Sequence, residues 1–236
     1  MKNMHKYIVA TIKDWNIKQY YQSKYKKSKN WYLINDPKKL TFAFVNSIKP
    51  KYIFFPHWSK KVNSKIINNY DCVCFHETDV PYGRGGSPIQ NLIVRNHNKT
   101  IITALQMIDV LDSGPIYLKR QLKLDGSAQE IYERAAKIIF KMINVIIKNK
   151  IMPVAQKGRV VKFKRRNVKQ SILSKKIKSL RALYNHIRML DAKTYPTAFI
   201  KYGNLRIEFK KAKINKKNIN ASVNIKLNSK KNDIKI

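Results

Sequence analysis

Residues 50–88 read PKYIFFPHWSKKVNSKIINNYDCVCFHETDVPYGRGGSP, and this stretch decides the fold class. YIFF (52–55) is a continuous apolar run bounded by Pro50 and Pro56, and CVCF (72–75) is a second. Apolar runs without alternation suit strands buried on both faces of a sheet covered by helices. Residues 60–69, between them, fit a short helix. Residues 76–88 hold two Pro, three Gly and several polar groups. They read as a loop leaving the C-terminal end of a buried strand, the edge of an open α/β sheet where ligands bind.

The same alternation extends upstream. KYIVATI (6–12) reads as a strand, residues 14–24 as a helix and WYLI (31–34) as a second strand. Asp36 suits an N-cap with Pro37 at the first helical position, so a helix is expected to run to about Ile48 and stop at Lys49-Pro50. Strands alternating with helices predict a Rossmann-like α/β fold, with a mostly parallel sheet and right-handed crossovers.

Downstream, residues 88–96 read as a helix started by Pro88, IITALQMI (101–108) as a strand, DVLDSGP (109–115) as a polar turn and IYLKRQLKL (116–124) as an alternating strand. Ser127 and Glu130 form a capping box for a long helix to about Lys148. After residue 153 the character shifts. GRVVKFKRR (158–166) is a basic strand candidate, residues 174–190 a helix, and residues 197–213 a hairpin turning at Gly203-Asn204. Residues 217–236 read as an edge strand or a mobile tail. The expected organisation is a main domain at 1–155 and a small, basic α+β or β subdomain with its tail at 156–236. There is no internal repeat.

The 236 residues carry a formal net charge of +37 and are 44% hydrophobic. That apolar content excludes a disordered chain. No apolar run approaches the roughly 20 residues that span a bilayer, and the N-terminus lacks the apolar core and cleavage site of a secretion signal. A cytoplasmic protein is expected. The charge invites a nucleic-acid partner, yet 40 Lys, 31 Ile and 22 Asn mark a composition set largely by AT-rich codons, and Arg occurs only 10 times. The segment 157–236 holds 24 Lys+Arg against 3 Asp+Glu, a net of +21. An anionic partner is therefore expected at the C-terminal third. Cys72 and Cys74 share one face of a strand. With no second Cys/His cluster they make a poor zinc site and read as a reduced pair; no metal is expected.

Two loops hold the chemistry-bearing residues, His76 to Pro88 and Leu111 to Ile116. Both follow buried strands, so a parallel sheet brings them to one edge. A His facing an Asp is a usable acid/base pair, because the carboxylate fixes the imidazole tautomer and stabilises its charged form. The plainer reading is a His satisfying a loop hydrogen bond and an Asp capping a turn. No G-x-G-x-x-G follows the first strand, so a dinucleotide site is not supported.

HETDVPYGRGGSPIQNLI followed by TIITALQMIDVLDSGPI resembles the signature of the 10-formyltetrahydrofolate-dependent formyltransferases. His76, Thr78, Pro81, Arg84, Gly85, Pro88, Ile89, Thr103, Met107, Leu111, Asp112, Ser113, Gly114 and Ile116 match it in order. The resemblance is strong over residues 50–150 and weaker over 184–212. It implies the formyltransferase fold and transfer of a formyl group from 10-formyltetrahydrofolate to a primary amine. It implies that His76 meets the oxygen where negative charge develops, that Asp112 orients His76 and helps take the amine proton, and that Thr78 holds the loop or the His. It further implies a pterin pocket shaped by Pro56, His57 and Trp58, by Val110 and Leu111, and by the Arg84-Gly85 loop. Trp58 reads equally as a stacking ring or a cover for the sheet edge. Arg84 reads equally as a phosphate ligand or a structural loop residue.

One position departs. The family's Asn, two residues before the His, is Cys74 here. That Asn is an oxyanion donor, a thiol is a weak one, and one such donor is worth about 10²–10³ in rate. Thr78, a backbone N–H of the 83–86 loop, and His57 are the candidate replacements. The stretch before His76 is shorter than in most relatives, so about one βα unit is expected to be missing.

The expected acceptor is the amino group of a nucleotide-linked sugar, because the segments IRMLD (187–191) and YPTAF (195–199) resemble the accessory region of sugar-modifying members. The alternative is methionyl-tRNA, favoured by the basic C-terminal third. A further alternative is a non-catalytic binding protein that lost turnover at Cys74. A homodimer is an open possibility.

Overall fold

The computed structural model describes residues 5–228. The elements run β1 (Tyr7–Ala10), α1 (Asp14–Gln22), β2 (Trp31–Ile34), α2 (Phe42–Ile48), β3 (Tyr52–Phe55), α3 (Ser64–Asn69) and β4 (Asp71–His76). Next come β5 (Tyr82–Gly85), α4 (Pro88–Val94), β6 (Lys99–Gln106), β7 (Ile116–Lys123) and α5 (Ala128–Asn149). The chain continues through β8 (Val161–Phe163), α6 (Leu180–Arg188), β9 (Ala198–Tyr202), β10 (Leu205–Ile214) and β11 (Ile219–Leu227).

The central sheet has strand order β2-β1-β3-β4-β6-β7. Its first four strands are mutually parallel, and β6 runs antiparallel to both β4 and β7. All four residues of β3 are buried, as the unbroken apolar run requires. Alternate residues feed two cores: Phe54, Val73 and Phe75 pack under α5 and α4, while Ile53, Phe55 and Cys72 pack under α2 and α3. Both cysteines are free. Burial, with Asp71 nearby, pushes the Cys72 thiol up to about 12. No helix among the described residues is long and apolar enough to cross a membrane.

Several expected boundaries move. The helix expected from Pro37 to Ile48 is a single 3-10 turn at Pro37–Lys39 followed by a fresh start at Phe42. Asp36 caps the turn at the Lys38 N–H, but the Thr41 hydroxyl caps the Phe44 N–H and restarts the helix. The second cap breaks the helix, because a capping residue holds an extended backbone. The helix expected at 60–69 starts at Ser64, where Asn63 caps it. The helix expected at 174–190 spans Leu180–Arg188, with Ser179 as its cap. The capping box at Ser127 and Glu130 forms as expected.

The segment 76–88, expected to be loop throughout, contains β5, which pairs in parallel with β8. Two partners distant in sequence make this pairing, so no local pattern marks it. Gly85 and Gly86 permit it. A Cβ on Gly85 would lie 2.4 Å from the Phe163 carbonyl oxygen, and one on Gly86 2.5 Å from Arg165 Cβ. The hairpin at Gly203-Asn204 joins β9 to β10, and β11 completes a separate three-stranded antiparallel sheet. The expectation for residues 217–236 is met by an edge strand through Leu227, and residues 229–236 lie outside the described residues.

Ser127→Ala removes one hydroxyl cap and half of the box. We expect a loss of about 1 kcal/mol, read as a fall in Tm of about 2–4 °C with the far-ultraviolet circular dichroism unchanged.

Candidate active site

The strand order reverses between β1 and β3, because β1 leads to β2 on one side and β3 leads to β4 on the other. The crevice beyond their carboxyl ends is where open α/β sheets bind ligands. Thr11 Oγ1 donates to the Pro56 carbonyl at 2.8 Å and Asn16 Nδ2 donates to the same oxygen at 3.1 Å. These bonds tie the turn after β3 to the start of α1.

His57 stands in this crevice. Trp15 Nε1 donates to His57 Nδ1 at 2.8 Å, and Asn16 Nδ2 also approaches Nδ1, at 2.9 Å. An indole N–H only donates, so Nδ1 is the acceptor and the ring proton sits on Nε2. That nitrogen meets Glu77 Oε1 at 2.7 Å without lining up as a hydrogen bond. Burial pushes the Glu77 carboxyl up, but His57, followed by His76, pulls it down further, so it lies below its ordinary value. Glu77 is thus a nearly buried carboxylate next in sequence to His76.

His76 and Asp112 meet, but not by the expected parallel arrangement: β6 runs antiparallel to β4, its end at Gln106 lies beside Val73, and the turn that follows carries Asp112 back to His76. His76 Nε2 lies 2.8 Å from the Gly83 carbonyl oxygen. A carbonyl only accepts, so Nε2 carries the proton and Nδ1 turns toward Asp112 Oδ2 at 3.7 Å. The same Oδ2 accepts the Gly85 N–H at 2.8 Å. The acid/base reading and the plainer loop-capping reading therefore describe one arrangement. Asp112 sits at φ 54, and a Cβ on neighbouring Gly114 would fall 1.8 Å from the Gln106 carbonyl oxygen. Only glycine lets this turn approach β6 so closely.

Arg84 takes the structural option. Its Nε and Nη2 donate to Gln156 Oε1 at 3.1 and 2.8 Å, and Nη1 donates to Ser113 Oγ at 2.9 Å. Gln156 Nε2 in turn donates to the Asp112 and Gly114 carbonyls at 2.9 and 2.8 Å. The guanidinium thus clamps the Asp112 turn and does not reach the cavity. Thr78 also stays outside, its hydroxyl sharing the Gly83 carbonyl with His76 at 3.3 Å. Pro56 contributes only its carbonyl to the crevice bonds.

A cavity of about 480 Å³ brings together Cys74, His76, Asp112, His57, Trp58, Gly85, Val110 and Leu111, a volume suited to a small ligand. Cys74 is paired in register with Phe55. Burial, reinforced by Asp112, pushes its thiol well above the ordinary value, so it remains protonated. Sequence reading missed Trp15, Glu77, Gln90, Tyr132 and Tyr195, which line the same cavity. Trp15 stacks on Tyr132 at 4.8 Å, and the Tyr132 and Tyr195 hydroxyls lie 2.7 Å apart. A carboxylate ending an apolar strand was a usable signal for Glu77; the aromatic wall had none. At the mouth stand Lys13, Lys60, Arg165 and Arg166. Burial lowers the Lys13 pKa, with Arg165 and Lys60 adding to it against Asp14. No group of three His, Cys, Asp or Glu among the described residues is arranged to hold a metal.

Comparison with known proteins follows the same lines. The family described as "Methionyl-tRNA formyltransferase, C-terminal domain" matches residues 168–226. A methionyl-tRNA formyltransferase from Bacillus mycoides is 27% identical over 163 residues, 66% of this chain and 51% of the relative, so the chain spans about half the length of that curated protein. The structure of a methionyl-tRNA formyltransferase from Clostridium thermocellum superposes with a TM-score of 0.91 at 44% identity, covering 95% of this chain and 100% of the other. A sugar N-formyltransferase from Shewanella sp. shares the fold, with a TM-score of 0.62 at 14% identity over 85% of this chain and 94% of the other.

Arg84→Ala strips the donors from Gln156 and Ser113 together. We expect a loss of about 1–3 kcal/mol in thermal unfolding and faster amide exchange confined to residues 109–115.

Proposed function

The chain belongs to the methionyl-tRNA formyltransferase family, and from that premise we propose that it transfers the formyl group of 10-formyltetrahydrofolate to the α-amino group of methionine carried on tRNA. The observation that carries this reading is the His76–Asp112 pair, 3.7 Å apart across the floor of the cavity. The sequence reading placed a nucleotide-linked amino sugar first. The much higher identity to the Clostridium protein than to the sugar N-formyltransferase favours tRNA instead.

The residues fit a folate co-substrate. Phe55, Trp58, Met107, Val110 and Leu111 line one side of the cavity, a surface suited to a flat heteroaromatic ring. Val110 and Leu111 are 62% and 71% exposed, apolar surface that a bound ring would cover. On the opposite side the Glu77 carboxylate offers an acceptor for an N–H of the neutral attacking amine. His76 Nδ1 receives a proton from the attacking amine, and Asp112 stabilises the imidazolium so formed. The imidazolium then donates toward the formyl oxygen or the departing nitrogen. Lys13, Lys60, Arg165 and Arg166 give the mouth a positive potential suited to the phosphates of an RNA end. The β5–β8 pairing brings the two arginines there, which gives part of the charge asymmetry of the C-terminal third a location.

Purified protein should release tetrahydrofolate from 10-formyltetrahydrofolate when given methionyl-tRNA, and its kcat/KM for the tRNA should fall steeply with added salt. Release with nucleotide-linked amino sugars but not with methionyl-tRNA would replace the acceptor. Folate binding without release to any acceptor would support the non-catalytic alternative. His76→Ala should lower kcat by about 10²–10⁴ with the melting transition retained; unchanged turnover would refute the role given to His76.

A further inference from the structure

Formyl transfer places negative charge on the formyl oxygen, and a preorganised donor there is worth about 10²–10³ in rate. The chain carries Cys74 where the resemblance expects the amide donor. Of the replacements foreseen from sequence, Thr78 and the Gly85 and Gly86 N–H groups are already committed, and the His57 Nε2–H is turned to Glu77 without lining up as a hydrogen bond. Thr78 Oγ1 donates to the Gly83 carbonyl and the Thr78 side chain lies outside the cavity. The Gly85 N–H is held by Asp112 and the Gly86 N–H by the Phe163 carbonyl. His57 accepts from Trp15 at one nitrogen and faces Glu77 with the other.

Two further cavity-lining side chains carry a buried N–H with no hydrogen-bond partner, Arg166 at the mouth and Trp58 beside the Cys74 strand end. Trp58 Nε1 is buried without a hydrogen-bond partner, and Trp58 lines the cavity. An indole N–H only donates, and leaving it buried and unmet costs about 1–3 kcal/mol, so the site is built for an acceptor atom that the protein alone does not provide. Its place in the fold is specific. Phe55 is the register partner of Cys74, the Phe55 and Trp58 rings meet edge to face at 5.9 Å, and Trp58 packs in the same cluster as Cys74. The free donor thus belongs to the strand end beside the position that lost its amide.

We propose that Trp58 is a catalytic residue whose indole N–H receives the formyl oxygen and takes over the donor role vacated at Cys74. No proton is transferred from it; the N–H bond stays intact and shortens its contact to the oxygen as charge develops. This assignment rests on the formyl-transfer reading, and it makes Trp58 a hydrogen-bond donor rather than only a stacking ring.

The test uses the full chain labelled with nitrogen-15. Two stable folate analogues serve as probes, 10-formyl-5,8-dideazafolate and 5,8-dideazafolate without the formyl group. Both should bind, and the Trp58 indole N–H resonance should move downfield with the formylated analogue only. Binding of both with the same Trp58 response would overturn this proposal and leave the formyl-transfer reading intact. Binding of neither would overturn the folate reading and this proposal with it. In turnover, Trp58→Phe keeps a ring and removes the N–H; it should lower kcat by about 10²–10³ with little change in the KM for folate. Cys74→Asn restores a donor, so in that background the loss from Trp58→Phe should be smaller by about tenfold or more. A fall in kcat of threefold or less, or equal losses in both backgrounds, counts against the role; a rise in folate KM with kcat unchanged would make Trp58 a binding surface alone.

Discussion

One carboxylate oxygen joins the two loops that make the site. Asp112 Oδ2 accepts the Gly85 N–H at 2.8 Å and faces His76 Nδ1 at 3.7 Å. A charge-assisted bond to a backbone N–H is stronger than a neutral one, and here it fixes the turn after β6 against the loop after β4. The rest of the site is arranged to permit that contact. Gly114 lies on the Gln106 carbonyl, Gln156 holds the turn's carbonyls while Arg84 holds Gln156 and the Ser113 hydroxyl, and Gly85 and Gly86 let β5 lie against β8. These contacts come from four separate stretches of chain.

The electrostatics of the cavity run in two directions. Its floor carries Asp112 and Glu77 beside His76, and its mouth carries Lys13, Lys60, Arg165 and Arg166. An acceptor with an amine at one end and phosphates at the other matches both. The buried carboxylate remains below its ordinary pKa because His57 faces it, and His57 is oriented by Trp15 and Asn16 at its other nitrogen. Of the positive groups behind the net charge of +37, Lys13, Lys60, Arg165 and Arg166 line the cavity, and most of the lysines lie elsewhere.

Much of the scaffold was legible in sequence for definite reasons. YIFF and CVCF are short, unbroken apolar runs, too short for helices and the first bounded by prolines, which suits strands covered on both faces. Ser127 with Glu130, and Gly203-Asn204, are local devices whose chemistry acts between near neighbours in the chain. The break at Thr41 was not legible, because Asp36-Pro37 and Thr41 each offer a valid helix start and only packing decides which one the longer helix uses. The β5–β8 pairing was not legible either, because it joins segments from opposite sides of α5, and strand pairing over such a separation leaves no local pattern. Arg84 is held by Gln156, a residue with no motif attached to it.

The sequence by itself determined a layered α/β scaffold and named His76 and Asp112 as the chemistry-bearing residues, because apolar periodicity and turn chemistry are local properties written at each position; their meeting across an antiparallel β4–β6 pair was decided by tertiary structure. Tertiary structure alone decided which groups are spent and which are free. It bonded His57 Nδ1 to Trp15, Arg84 to the Asp112 turn and the Gly85 and Gly86 N–H groups to Asp112 and Phe163, and it left the Trp58 indole and the Arg166 Nε–H unmet. Hydrogen-bond satisfaction is a property of three-dimensional neighbours, and a side chain's capacity to donate says nothing about whether a partner lies within reach.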